Sequence, residues 1–349
     1  MSAPASPRRK VIIDQDTFGP GGSNLQSVLM VLQSPDIEVL GITTVTGDGW
    51  AKENTAHALR MLELIGRTDV PVVAGATYPL LNSEEGTRRW EAMHGKLPYK
   101  GAWMDRWPDY NTMARRPYHP ADIVPPLPEG DPETAPAAGT AAEFLVRKVR
   151  EFPGAVTLLA MGPFTNLALA ARLDEDFASL AEGLVFMGAA FNPVVHTEDE
   201  FALQFIHSPR VEFNCRFDPE AASIMLRAGW KNLTCIPLDA TVEPRLTAEL
   251  VARATAADTP AARYLKKFAG LGFPMWDEIA AAVLLDRHLA TDTAWLAMDI
   301  ATDPGAGYGA TLSWPPGGGP GLGEPDVNVV RAIDRARFEA LFVALMQRG

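Results

Sequence analysis

Cysteine is scarce in this chain: Cys215 and Cys235 are the only two in 349 residues. They stand in neither CxxC nor zinc-ligand spacing, which excludes a disulfide framework and reads as two buried thiols in a reducing, cytoplasmic compartment. Long hydrophobic runs are missing too. Nothing approaches the roughly 18 apolar residues of a membrane span, and the opening "MSAPASPRRK" has no apolar stretch of the secretory kind. Positive charge is in deficit, with 31 Lys and Arg against 43 Asp and Glu and a net charge of −12. The signs are interspersed rather than blocked, which argues against nucleic acid and anionic membrane as partners and suits a small uncharged substrate or a bound cation. Histidine is sparse as well. His57, His119, His196, His207 and His288 show no metal spacing with one another and read as structural or solvated, with His196 and His207 kept as candidates because their loop can border a pocket.

What the chain has is apolar material, 47% of its residues, in short runs that alternate with helix-period segments. "VII" (11–13) precedes "LQSVLMVL", "EVLGITTV" (38–45) precedes "AKENTAHALRMLELIG", and "VPVVAG", "VTLLAM", "LVFMG" and "LTCIPL" follow with helical segments between them. Continuously apolar strands separated by helices predict an α/β fold: a mostly parallel central sheet with helices on both faces, Rossmann-like, as one domain over 1–349. The rhythm lapses from about 78 to 136, where Pro, Trp and Arg accumulate. That insertion, with Trp90, Trp103 and Trp107, is expected to cover the site or to meet another subunit. A shorter irregular piece spans 191–210.

The stretch "VIIDQDTFGPGGSN" (11–24) carries chemistry. In a doubly wound sheet, ligands bind beyond the carboxyl ends of the strands, where Asp14 and Asp16 fall. Two carboxylates so close repel, so one is protonated or a cation neutralises them. Three readings are open at this point. The acids cap turns and the next helix, with Ser23 or Asn24 as N-cap; or the first acid attacks phosphorus, as in haloacid-dehalogenase-like phosphotransferases; or the pair holds a hard cation that activates water. Thr17 directly after the second acid, with Phe18 next, departs from the phosphotransferase pattern. Other strand ends add Asp48 in "VTGDGWAKEN", Met161 in "LLAMGPFTNLALA", "MGAA" at 187–190, Glu212 and Asn214 in "VEFNCRFDPEAA", and Asp277 in "FPMWDEIAAAVLLD".

Taken in order, "VLGITTVTGD", "MGPFTNLALA" and "EFNCRFDPEAA" resemble the inosine–uridine-preferring nucleoside hydrolase family, from about residue 10 to 290. The resemblance implies calcium-dependent hydrolysis of the N-glycosidic bond of ribonucleosides, giving ribose and free base, in a homodimer or homotetramer. It implies that Asp16 binds calcium and takes a proton from the attacking water, and that Asp14, the Met161 backbone carbonyl and Asp277 complete the metal site. Glu212 and Asn214 match residues that hold ribose hydroxyls. Asp48 stands where the family usually has a sugar-contacting Asn, and His94 resembles a His-Gly loop near the sugar's exocyclic group.

Two places depart from the family pattern. The acid pair that follows the DxD is matched here by Ser23 and Asn24, in a longer loop. Asn24 still offers a carbonyl oxygen but no charge, which lowers the expected calcium affinity. Ser23 gives up a charge-assisted bond to a sugar hydroxyl, and Gln26, one turn on, is a substitute. Before Asp277, many members have a His; here Trp276 offers stacking to the leaving base. A ribosyl-binding protein with weakened chemistry is the alternative reading.

Overall fold

A computed structural model describes residues 8–105, 117–192 and 210–348. Nine strands form one sheet: β1 (Arg9–Gln15), β2 (Ile37–Thr44), β3 (Val72–Ala74), β4 (Val156–Ala160), β5 (Gly183–Met187), β6 (Leu233–Ile236), β7 (Ala290–Ile300), β8 (Thr311–Trp314) and β9 (Asp326–Ile333). Their order is β3-β2-β1-β4-β5-β6-β9-β7-β8. Strands β1 to β6 pair in parallel, β9 joins β6 in parallel, and β7 runs antiparallel to both β9 and β8.

The α/β architecture expected from the alternation of apolar runs is present, and side-chain alternation explains its two cores. Val11 and Ile13 of β1 join Leu159, Met187 and Ile236 under the helices Ser23–Gln33, Ala51–Ile65, Pro260–Phe268, Trp276–Leu285 and Arg335–Met346. Ile12 faces the other way, with Leu158, Phe186 and Cys235, toward Ala141–Glu151, Thr165–Leu173 and Pro219–Leu226. Both cysteines are buried free thiols.

The chain leaves β1 toward β2 on one side, and β4 lies on the other. The strand order therefore reverses at β1, and in sheets of this kind ligands bind beyond the carboxyl ends of the strands at such a point. This is where the first acids sit. The antiparallel β7–β8–β9 end was not apparent in the sequence, because β7, "ATDTAWLAMDI", is largely exposed over its first half and lacks a continuous apolar run.

The 78–136 insertion is not structureless. It contains a helix, Glu84–His94, capped by the Ser83 side chain accepting from the Gly86 amide. Trp103 stacks on Phe217 with ring centroids 4.2 Å apart, and the Trp90 indole donates to the Gly305 carbonyl at 2.8 Å. Both therefore pack within the chain; Trp107, like His196 and His207, lies outside the described residues. Among the described residues, no helix is long and apolar enough to cross a membrane.

Candidate active site

Period-two alternation along β1 sends its last residues to different partners. Asp14 faces the helix Thr165–Leu173: its Oδ2 accepts from Thr43 Oγ1 at 2.5 Å and from Asn166 Nδ2 at 2.8 Å. Gln15 faces the opposite helices, donating to Asp277 Oδ2 at 2.9 Å and accepting from the Asp16 amide at 2.9 Å. Asp16, just past the strand, accepts from the Asp48 amide at 2.7 Å and from Asn24 Nδ2 at 2.8 Å. Gly47 is required beside it, since a Cβ there would collide with Asp16 Oδ2. The reading that made Ser23 or Asn24 the N-cap of the next helix finds no support. The helix Ser23–Gln33 starts after Gly22 with no side-chain cap.

The remaining carboxylates close around this pair. Asp48 is partly buried and accepts from the Tyr99 hydroxyl at 2.7 Å. Asp277, second residue of the helix Trp276–Leu285, is buried. Glu212 caps the short helix Phe213–Phe217, accepting from the amides of Asn214 and Cys215. It also accepts from Ala189, a non-glycine residue held at φ 73° at the end of β5. Asn214 Nδ2 donates to the Met161 carbonyl at 2.9 Å and the Met187 carbonyl at 3.2 Å, tying β4 to β5 at the site floor.

Burial raises the pKa of every acid in this group. Asp14 is lifted to about 7 and Glu212 to about 7 in spite of their hydrogen bonds, and Asp48 to about 6. Asp16 is pushed well above the ordinary carboxylate range by burial first, then by the charges of Asp48 and Asp277. Asp277 is raised by burial, then by Glu278, and further by Asp48 and Glu212. Residues far apart in sequence thus feel one another's charge. Among the described residues no Lys or Arg forms an ion pair with any of them. Holding Asp14 alone ionised at neutral pH costs about 4 kcal/mol relative to water, which asks for a compensating cation.

Among the described residues, no three His, Cys, Asp or Glu side chains form a group that can hold a metal by themselves. The donors nominated by the sequence are of a mixed kind, combining carboxylates with an amide and a backbone carbonyl. All are hard oxygens of the type a calcium or magnesium ion takes. One of them, Asp14 Oδ1, is buried without a hydrogen-bond partner. By donor chemistry the residues present fit such an ion.

The other nominated residues spread around this floor. Ser23 donates its hydroxyl to Glu278 and accepts from the Asp277 amide at 2.9 Å. Gln26 turns back to donate to the Gly21 carbonyl at 3.0 Å. Trp276 is half-buried against the core, 6.5 Å from the Phe273 ring. His94 ends its helix exposed, 5.1 Å from Trp90, on a cavity shared with Tyr99. Sequence reasoning missed Thr43, Asn166, Gln15 and Glu278. The Asn166 amide donates to Asp14 and to the Thr44 carbonyl, while its oxygen accepts from Ala76 at 2.8 Å. Asn166→Ala should therefore lower stability by about 2–4 kcal/mol in urea titrations, because buried Asp14, the Thr44 carbonyl and the part-buried Ala76 amide each lose a hydrogen bond at once.

With this geometry in view, comparison with known proteins is informative. The profile of the family described as inosine-uridine preferring nucleoside hydrolase matches residues 11–340. Uridine nucleosidase 1 of Arabidopsis thaliana is 35% identical over 239 residues, 68% of this chain and 59% of that protein, so the chain matches about three fifths of that relative. The pyrimidine-specific ribonucleoside hydrolase RihA of Shewanella woodyi is 28% identical over 95% of both chains. Among solved structures, a plant nucleoside hydrolase, the PpNRh1 enzyme, superposes with a TM-score of 0.72 at 25% identity, covering 98% of this chain and all of the other. The chain belongs to the inosine–uridine-preferring nucleoside hydrolase family.

Proposed function

We propose that this protein hydrolyses the N-glycosidic bond of ribonucleosides to ribose and free base, with a calcium ion at the acidic floor. The observation that carries the reading is the buried link of Asp16 to Asp277, from opposite ends of the chain, through Gln15, with no Lys or Arg among the described residues ion-paired to either. Departure of the base leaves positive charge on the sugar, and an anionic floor stabilises it. When bound, the cation supplies Lewis acidity and an anchor for sugar hydroxyls. Asp14, Asp16, Asn24, Asp277 and the Met161 carbonyl would hold it.

Asp16 is the general base. The Asp48 amide and the Asn24 amide fix both of its oxygens, so the carboxylate is oriented before substrate arrives. Glu212 and Asn214 hold the ribose hydroxyls, with Ser23 and Asp48 at the pocket edge. His94 borders the sugar's exocyclic end, and Trp276 stacks on the leaving base. Tyr78, Leu81 and Met93, exposed on and before the helix Glu84–His94, support a homo-oligomer. Buried free thiols suit a cytoplasmic setting.

Uridine is the first substrate to try, since two of the relatives carry uridine or pyrimidine names. Ribose release from a panel of uridine, cytidine, inosine and adenosine should be measurable with calcium and should fall at least about 100-fold after chelation. A folded protein that turns over no nucleoside at millimolar calcium would favour the binding-protein reading. Ser23 and Asn24 motivate that rival, since their side chains are committed to Glu278 and Asp16.

A further inference from the structure

Arg216 is a buried cation held between aromatic rings. It is 5% exposed, yet its Nε and Nη2 make no hydrogen bond, and among the described residues it forms no salt bridge. Burial pulls its pKa down to about 10, which leaves it charged at pH 7. Its guanidinium lies 4.8 Å from the ring centroids of both Trp90 and Tyr308. Aromatic faces hold the cation and leave the in-plane N–H edge for an oxyanion, the group that edge matches best. Gly309, at φ 83°, is shaped around it, since a Cβ there would come within 2.7 Å of Arg216 Cδ.

The nearby acids are already engaged. Glu91 Oε2 takes Lys96 and Lys100, each at 3.3 Å, and Glu220 accepts the Tyr308 hydroxyl at 2.9 Å. Arg216 lines a cavity of about 490 Å³ with His94, Lys96, Tyr99 and Phe213, and among the described residues no carboxylate lines it. That volume suits a small polar ligand. Two of those residues adjoin the acidic floor: the Tyr99 hydroxyl is bonded to Asp48, and Phe213 lies between Glu212 and Asn214.

We propose that this cavity is an oxyanion subsite for a phosphate on the exocyclic 5′ oxygen of the sugar, so that the substrate class includes nucleoside 5′-monophosphates. The assignment rests on the sugar pocket proposed above. There the hydroxyl face of the ribose meets Asp14, Asp16 and Asp277, which repel a dianion. The exocyclic oxygen is the end left to carry it, and the cavity lined by His94 and Arg216 reaches the floor through Tyr99 and Phe213.

The test compares uridine with uridine 5′-monophosphate, and inosine with inosine 5′-monophosphate, on the wild type and on Arg216→Met. Base release gives kcat/KM, titration calorimetry gives affinity, and thermal melting checks the fold. In the wild type the nucleotide should exceed its nucleoside at least tenfold in kcat/KM, and Arg216→Met should cut that ratio at least tenfold. Inorganic phosphate should compete with the nucleotide while binding far more weakly. A ratio of one or less, or an unchanged ratio in a variant that merely melts earlier, makes Arg216 a packing residue and overturns the proposal. Inorganic phosphate binding as tightly as the nucleotide also overturns it, since the site would then serve a free anion. If nothing is hydrolysed but the nucleotide still binds tenfold tighter through Arg216, the subsite stands and the hydrolase reading falls.

Discussion

Asp16→Asn should lower ribose release by about 10³-fold or more while leaving the protein folded. The two effects separate because the carboxylate is needed for its proton affinity and its charge, whereas its place in the fold depends on accepting hydrogen bonds. An amide oxygen can keep the bond from the Asp48 amide, 2.7 Å away. The new amide nitrogen meets the Asn24 donor, which costs a bond, but the variant no longer has to ionise a carboxylate buried beside Asp48 and Asp277. These terms oppose each other, so the melting temperature should stay within a few degrees. Asn166→Ala behaves in the reverse sense, losing stability first. Steady-state turnover and thermal melting on both variants distinguish a residue that handles the proton from one that holds Asp14 in place. Retention of more than a tenth of wild-type turnover by Asp16→Asn would remove it as the base.

Much of this arrangement was legible in the chain. Strands β1 to β6 announced themselves because buried parallel strands are continuously apolar, and Asp14, Asp16 and Asp48 stood out because acids directly after such runs have no role in packing. The polar scaffold was not legible. Gln15 looks like filler between two acids, yet the alternation of β1 turns it to the opposite face, where it bridges Asp16 and Asp277. Asn166 sits in a motif that reads as a helix start, and only the parallel pairing of β1 with β2 and β4 brings it against Asp14 and Thr44. Glu278 was passed over beside Asp277, although its carboxylate takes the Ser23 hydroxyl and its pKa rises to about 8. These partnerships depend on register and on helices packed from far along the chain, which spacing within one motif does not encode.

The same partnerships explain how a loop lacking the expected acid pair remains compatible with a cation. Ser23 does not leave a hole: its hydroxyl joins Glu278 to the Asp277 amide, so the helix Trp276–Leu285 contributes a further carboxylate beside the position where the loop has lost one. Charge near the floor is thus redistributed between two helices rather than simply reduced. Asn24 is the neutral member, and it holds Asp16 through its amide nitrogen, which bonds both the carboxylate and the Asp16 carbonyl, the latter at 3.0 Å.

Asn24→Asp should therefore convert the protein into one whose stability depends on a divalent cation. Without the cation, the new carboxylate faces Asp16 in place of a donor, and at pH 8 the variant should lose about 3–5 kcal/mol, the cost of an uncompensated buried charge. Acidification should relieve it. Asp14 and Glu212 titrate near 7 in the fold against 3.8 and 4.5 for their ordinary values. Their protonation favours the folded state at low pH, and that contribution is lost as pH rises through about 7. Between pH 5 and 8 each such group costs about 2–3 kcal/mol, so the cation-free wild type should already melt lower at pH 8, and the variant should fall more steeply. Millimolar calcium should reverse most of the loss at pH 8 and do little at pH 5, where protons already occupy the acids. The variant should gain more than the wild type, because an added charge tightens binding and ligation stabilises the fold by mass action, about 2.7 kcal/mol at a hundredfold excess over Kd. Melting curves at the two pH values, with calcium or with chelator, decide the matter. A variant at pH 8 that melts at the same temperature in both would mean that no cation sits between residues 24 and 16, and the metal assignment of the whole floor would go with it.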